Sequence, residues 1–117
     1  KLKYVADYLQ VSMPSVVNGF RRLDKLGYIY YRPYQEIKVT AKGERKGKFL
    51  VTRNRILRDF IKAINSDCDA EKEAEAMEHY LSISTIKQIE KIVSYFNDNK
   101  EILNEVVNYE IKSKLEE

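Results

Sequence analysis

Residues 12 to 40 place a proline-initiated helix directly before two short extended runs, and this order constrains the fold more than any other feature. Ser12 offers a capping oxygen, and Pro14 suits a first helical turn whose amides lack partners anyway. Val16, Phe20 and Leu23 then recur at helical spacing and predict an inward stripe. At about 100° per residue, Ser15, Asn18, Gly19 and Arg22 gather on another face, which is small, polar and cationic. Gly27 suits the C-terminal cap of this helix. The extended runs are Tyr28 to Tyr31 and Glu36 to Thr40, joined by Arg32-Pro33-Tyr34-Gln35. In the second run Ile37 and Val39 alternate with Glu36, Lys38 and Thr40, the period of a half-buried hairpin strand. A helix followed by a hairpin with a basic tip is the arrangement of a wing beside a helix-turn-helix.

Charge is distributed unevenly. Residues 1 to 62 hold 15 Lys/Arg against 5 Asp/Glu, a balance of +10, and residues 63 to 117 hold 6 against 13, a balance of −7. A basic front suits phosphate contacts, whereas the acidic rear would be repelled by the same polyanion. The two parts are therefore expected to do different jobs, with Arg22, Arg32 and Lys38 on phosphates and Ser15 and Asn18 near base edges in the major groove of double-stranded DNA. Arg32, at the hairpin tip, is placed to reach a minor groove as an alternative. Tyr30, Tyr31 and Tyr34 are expected to cover the edge of the core. The single cysteine, Cys68, excludes an internal disulfide and a multi-cysteine zinc site. It reads as an incidental loop thiol in a reducing cytoplasm. No run is apolar enough for a membrane span, and no basic-then-apolar leader is visible.

Along the chain, Lys1 to Leu9 reads as a helix, and Val11-Ser12 as the turn into the next one. A three-helix winged domain needs a further helix before this pair, so roughly 15–25 upstream residues are expected by comparison with the usual size of such domains. Thr40 to Gly43 opens a long helix to about Ile64, with Phe49, Leu50, Ile56, Leu57, Phe60 and Ile61 as its apolar positions. A short helix follows from Glu71 to Leu81. Ser84 is expected to cap the next, whose Ile86, Ile89, Val93 and Phe96 form a stripe. A last helix from about Lys100 to Leu115 is expected to bury Leu103, Val106, Val107 and Ile111. Several amphipathic helices in a short chain leave apolar faces that pairing with a second copy would cover, so a homodimer is expected.

Glu71, Glu75, Glu78 and His79 fall at i, i+4, i+7 and i+8 and share one helix face. Carboxylates so placed repel one another unless a cation sits among them. Two carboxylates with an imidazole suit a first-row transition metal, and the oxygen-rich mix points to Mn(II) or Fe(II). With one histidine, a several-imidazole zinc site is excluded, and the order lacks the His-Glu-x-x-His of a zinc protease.

The order Val5-Ala6, Val11 to Val16, Leu23-Asp24-Lys25, Tyr28-Ile29, Thr40 to Gly43, Gly47-Lys48 and Glu75-Ala76-Met77-Glu78-His79-Tyr80-Leu81-Ser82 resembles the metal-dependent repressors of the diphtheria toxin repressor family, in its manganese transport regulator branch. The resemblance implies a mainly α fold: a winged helix-turn-helix DNA-binding domain lacking its first helix over residues 1–46, then a helical metal-binding and dimerisation domain over 47–117. It further implies a homodimer on a palindromic operator, loaded with Mn(II) or Fe(II) and repressing metal-uptake genes. By position, Glu75, Glu78 and His79 match the second-domain ligands, with Glu71 as a further candidate. Ser12, Pro14, Ser15 and Asn18 match positions that face DNA. Asn54 stands where the family has a ligand histidine, and Arg58 where it has an acidic residue. Arg58, one turn beyond Asn54, could reach Glu75 or Glu78 and stand in for part of a metal's charge.

Other classes compete with this one. A winged-helix protein that recognises another protein is disfavoured by the basic front. A carboxylate-bridged metal enzyme commonly draws Glu-x-x-His pairs from more than one helix, and this chain offers one cluster. No enzyme and no small-molecule substrate are expected. The alternative within the regulator class is a winged-helix regulator whose metal control is reduced or lost, given Asn54 and Arg58.

Overall fold

The computed structural model describes residues 2–115, which leaves Lys1, Glu116 and Glu117 outside, and the chain divides into two compact units, Lys1–Leu50 and Val51–Glu117. The break falls inside a helix, four residues beyond the expected 46/47 boundary.

In the first unit α1 (Leu2–Leu9) packs on α2 (Met13–Lys25), burying Ala6 and Val16. Ser12 caps α2 by accepting from the Ser15 amide at 3.2 Å, and Pro14 lies in the first turn. At its other end Gly27 adopts φ +83°, which lets its amide reach the Asp24 carbonyl and the Tyr28 amide reach the Leu23 carbonyl, both at 3.0 Å. This pair of bonds satisfies carbonyls that the helix end would leave orphaned. Two residues of β1 (Ile29–Tyr30) then pair antiparallel with two of β2 (Lys38–Val39), in the register Ile29↔Val39 and Tyr30↔Lys38. The ladder is this short because Pro33 has no amide to give and Tyr34 turns the chain at φ +61°. Val39, expected to point inward, is 59% exposed, and Leu23 is also exposed: a two-rung ribbon covers little surface.

Thr40 joins the hairpin to α3 (Ala41–Ala63). Its hydroxyl donates to the Gly27 carbonyl at 2.6 Å and accepts from the Gly43 amide at 3.0 Å, while its amide donates to the Tyr28 carbonyl at 3.0 Å. Lys42 adds a bond from its Nζ to the Leu26 carbonyl at 2.8 Å. One threonine thus ties the end of α2, the base of the wing and the start of α3.

The second unit holds the rear of α3, then α4 (Ala70–Tyr80), α5 (Ile83–Asp98) and α6 (Lys100–Asn108). Leu57, Ile61, Ala74 and Ile86 form its buried centre, with Ile56, Phe60, Met77, Leu81 and Ile89 packed around them. The α5 stripe is buried at Ile86 and Val93 and half-buried at Ile89 and Phe96. Phe49 and Leu50, by contrast, are exposed. Two boundaries differ from expectation. The cap of α5 is Ser82, which accepts from the Thr85 amide at 3.1 Å, so Ser84 lies inside the helix. The last helix stops at Asn108, where Tyr109 turns extended, and Ile111 is 73% exposed and Val106 exposed too. Leu103 and Val107 are half-buried. A helix this short draws its stability from packing, and beyond Asn108 the described chain has no layer to pack on. Among the described residues no helix is long and apolar enough to cross a membrane.

Candidate functional site

The polar side of α2 is open. Ser12, Pro14, Ser15, Asn18, Gly19 and Arg22 are all exposed, and a Cβ added at Gly19 would meet nothing within 4 Å. Ser12 and Ser15 are not independent groups, because the Ser12 hydroxyl donates to Ser15 Oγ at 3.0 Å while capping the helix. The first unit carries 11 Lys/Arg against 4 Asp/Glu, a balance of +7. Lys38 is exposed on β2.

Arg32 differs from the sequence reading. Instead of projecting from the tip, its Nη1 folds back onto both oxygens of Asp24 at 2.9 Å and onto the Tyr31 carbonyl at 3.0 Å, and its guanidinium lies 5.0 Å above the Tyr30 ring. The Tyr31 amide also donates to Asp24, at 3.5 Å. Asp24 was overlooked by sequence reasoning, although a signal exists: a carboxylate in the last turn of a helix opposes the helix dipole and calls for a nearby cation. The tyrosines divide. Tyr31 packs edge-on against Phe20 at 5.8 Å, whereas Tyr30 is exposed and Tyr34 stands fully in solvent at the tip.

The acidic face lies on α4, whose start is capped by Asp69 accepting from the Lys72 amide at 3.2 Å. Glu71, Glu75 and His79 are exposed, while the side chain of Glu78 is only 13% exposed and its Oε1 accepts from Arg53 Nε at 3.4 Å. Glu71 and His79 are two turns apart, roughly 12 Å along the axis, with Glu75 between them. Among the described residues no three of His, Cys, Asp and Glu are grouped closely enough to hold an ion. The donor types suit Mn(II) or Fe(II), but the face alone is not a closed site. Arg58 is not the partner of Glu75 or Glu78: its Nε is buried without a hydrogen-bond acceptor, and the arginine on Glu78 is Arg53, five residues earlier. Five residues turn a helix by about 140° beyond one full turn, so the two arginines leave α3 in different directions. Asn54 is half-buried beside Arg53 in the chain.

Cys68 packs half-buried against the second unit's core. A hydrogen bond with Ser66 pulls its thiol pKa down, but desolvation and the carboxylates of Glu73 and Asp69 outweigh it, and the pKa is raised. Such a thiol is a poor nucleophile.

Residues 40–105 match the family described as "Iron dependent repressor, metal binding and dimerisation domain". The chain is also similar to the HTH-type transcriptional regulator MntR of Shouchella clausii, 38% identical over 97 residues, covering 82% of this chain and 68% of that protein. The same regulator of Lysinibacillus sphaericus is 34% identical over 103 residues (87% and 74%), and that of Bacillus subtilis 36% over 98 residues (81% and 68%). These relatives are named as transcriptional regulators, a non-enzymatic role. Among the described residues six helices and one small hairpin make a mainly α chain, a winged helix-turn-helix followed by the helical domain that the family match covers. This chain belongs to the diphtheria toxin repressor family of metal-dependent transcriptional regulators, in its manganese transport regulator branch.

Proposed function

We propose that this chain is the core of a cytoplasmic, homodimeric repressor that binds a palindromic operator in double-stranded DNA when loaded with Mn(II) or Fe(II), and so controls metal-uptake genes. Residues 1–46 serve as the DNA-binding domain and 47–117 as the metal-binding and dimerisation domain. The reading rests chiefly on the open face of α2. Asn18 and Ser15 approach base edges, Ser12 and Pro14 lie at the helix start, and Arg22 and Lys38 contact phosphates. Gly19 supports this role: a mid-helix glycine costs about 1 kcal/mol relative to alanine, and among the described residues nothing lies within 4 Å of a Cβ placed there. A close approach by a duplex would call for it. Arg32, held by Asp24, braces the wing against α2 and has less freedom to enter a minor groove.

Glu75, Glu78 and His79 contribute donors to the metal, with Glu71 as a further candidate. The bound ion would supply positive charge among carboxylates that otherwise repel. Exposed Ile92, Tyr95, Ile102 and Val106 on α5 and α6 support helix-to-helix pairing between two copies. A second reading, a regulator with reduced metal control, is favoured by Asn54 and by the ungrouped donors.

A gel-shift titration of the full-length protein with and without Mn(II) tests the proposal. Binding to operator DNA is expected to tighten with metal and to weaken steeply with salt. Asn18→Ala should cost roughly 1–3 kcal/mol on the operator and little on unrelated duplex. Equal losses on both would show that Asn18 does not read sequence, and metal-independent binding would favour the second reading.

A further inference from the structure

Asp24 sits where a carboxylate is disfavoured twice over. It lies in the last turn of α2, at the negative end of the helix dipole, and in a duplex-binding unit any nearby phosphate would repel it. Its partner is Arg32, whose side chain is 48% exposed against 27% for Asp24. Every hydrogen bond that the Arg32 guanidinium makes with the described residues leaves from one nitrogen. Nη1 donates to both oxygens of Asp24 at 2.9 Å and to the Tyr31 carbonyl at 3.0 Å. Nη1 lies on the Cδ side of the planar group, so Nε–H and Nη2–H remain as a parallel pair on the opposite edge. Two parallel N–H groups are the fork that fits two oxygens of a phosphate. We propose that Asp24 is a positioning residue, which holds Arg32 by one nitrogen and presents its free edge, preset, to a backbone phosphate of the duplex. The proposal rests on the reading of α2 and the wing as a DNA-binding surface.

The physical reason is pre-organisation. A loose arginine gives up rotamer freedom when it grips a phosphate, whereas one already held gives up little. The hold is itself anchored to α2, because the ring of Tyr31 packs edge-on against Phe20 at 5.8 Å and its amide donates to Asp24. Phosphates occur on every sequence, so the preset fork adds affinity for any duplex. The sign of removing Asp24 is therefore diagnostic. Loss of a negative charge beside a polyanion would by itself tighten binding, and loss of the hold on Arg32 weakens it.

Fluorescence anisotropy of the full-length protein on a duplex of random sequence, with and without Mn(II) and across a sodium chloride series, tests the assignment. Arg32→Gln should bind about tenfold more weakly at low salt, with a salt slope shallower by about 0.9 for each protomer bound. Asp24→Ala should bind about threefold more weakly in spite of the lost negative charge. The double variant should bind no more weakly than Arg32→Gln alone, because Asp24 acts through Arg32. The pair is partly exposed, so each melting temperature should fall by less than about 4 °C. Arg32→Lys keeps the charge and the ion pair but lacks the fork; it should bind about threefold more weakly with the slope retained, and it carries the test if another variant does not fold. Tighter or unchanged binding by Asp24→Ala, or a further loss in the double variant, overturns the positioning role. An unchanged slope in Arg32→Gln, or wild-type affinity in Arg32→Lys, overturns the phosphate fork. If wild type binds no duplex at low salt in either metal condition, the DNA reading itself falls.

Discussion

Replacing Leu57 by alanine is expected to lower the melting temperature of the protein by about 12 °C or more. Leu57 is fully buried, and it sits where α3 meets Ala74 of α4 and Ile86 of α5 in one contiguous cluster. Truncation removes the transfer energy of the lost carbons and leaves a cavity, together about 3–5 kcal/mol at sites of this kind. Ala74, already at zero exposure, has no side-chain length with which to fill the gap. At about 4 °C per kcal/mol for a chain of this size, the shift follows. Ile111→Ala is the matched control: that residue is exposed, and its loss should stay within about 0.5 kcal/mol. Thermal melts of the two variants by circular dichroism decide the matter. A Leu57→Ala shift of no more than the Ile111→Ala shift would mean that the cluster is not the stabilising centre of its unit.

Gly43→Ala is the second large effect, and its sign is informative. In an open helix, replacing glycine by alanine gains up to about 1 kcal/mol. At Gly43 the added Cβ would fall on the carbonyl oxygen of Tyr28 and also meet Val39 Cγ1 at 3.0 Å. The carbonyl is backbone and cannot rotate away, and it is the acceptor for the Thr40 amide at 3.0 Å. Relief therefore requires the first turn of α3 to move off the base of the wing. That shift would break the Thr40 contacts to Gly27 and Gly43 together. A net loss of about 1–3 kcal/mol is expected, with faster hydrogen exchange at the Thr40 amide. Gly47→Ala, four residues further along α3, meets nothing within 4 Å and should stabilise the protein. If both substitutions stabilise, the close approach of α3 to Tyr28 is not a constraint on the wing.

The wing region shows how charge is used twice. Arg32 was the obvious candidate for a phosphate at the hairpin tip. Its ion pair with Asp24 makes it a brace that links the wing to the last turn of α2. Such a brace would orient Lys38 and the exposed tip relative to the open face of α2. At Glu78, too, a carboxylate that the family resemblance assigns to metal has an arginine beside it, Arg53, whose Nε lies 3.4 Å from Oε1.

What could be read from residues alone was local. Ser12 as a cap, Gly27 in the left-handed turn, and the apolar stripe of α5 at Ile86, Ile89, Val93 and Phe96 each depend on neighbours within about one or two helical turns. The motif around Glu75, Glu78 and His79 was equally legible, because helical periodicity places those positions near one face without any knowledge of the fold. Tertiary structure decided everything that required a distance between elements. Ser82 and Ser84 are equivalent as capping groups, and only the path from Leu81 into α5 selects the first. Arg53 and Arg58 are equivalent as cations, and only the rotation of α3 against α4 brings one of them to Glu78. Arg32 meets Asp24 because the hairpin folds back on α2, and α6 ends at Asn108, where Tyr109 turns extended. Spacing along a chain encodes direction around one helix axis; it does not encode which neighbouring helix, if any, lies in that direction.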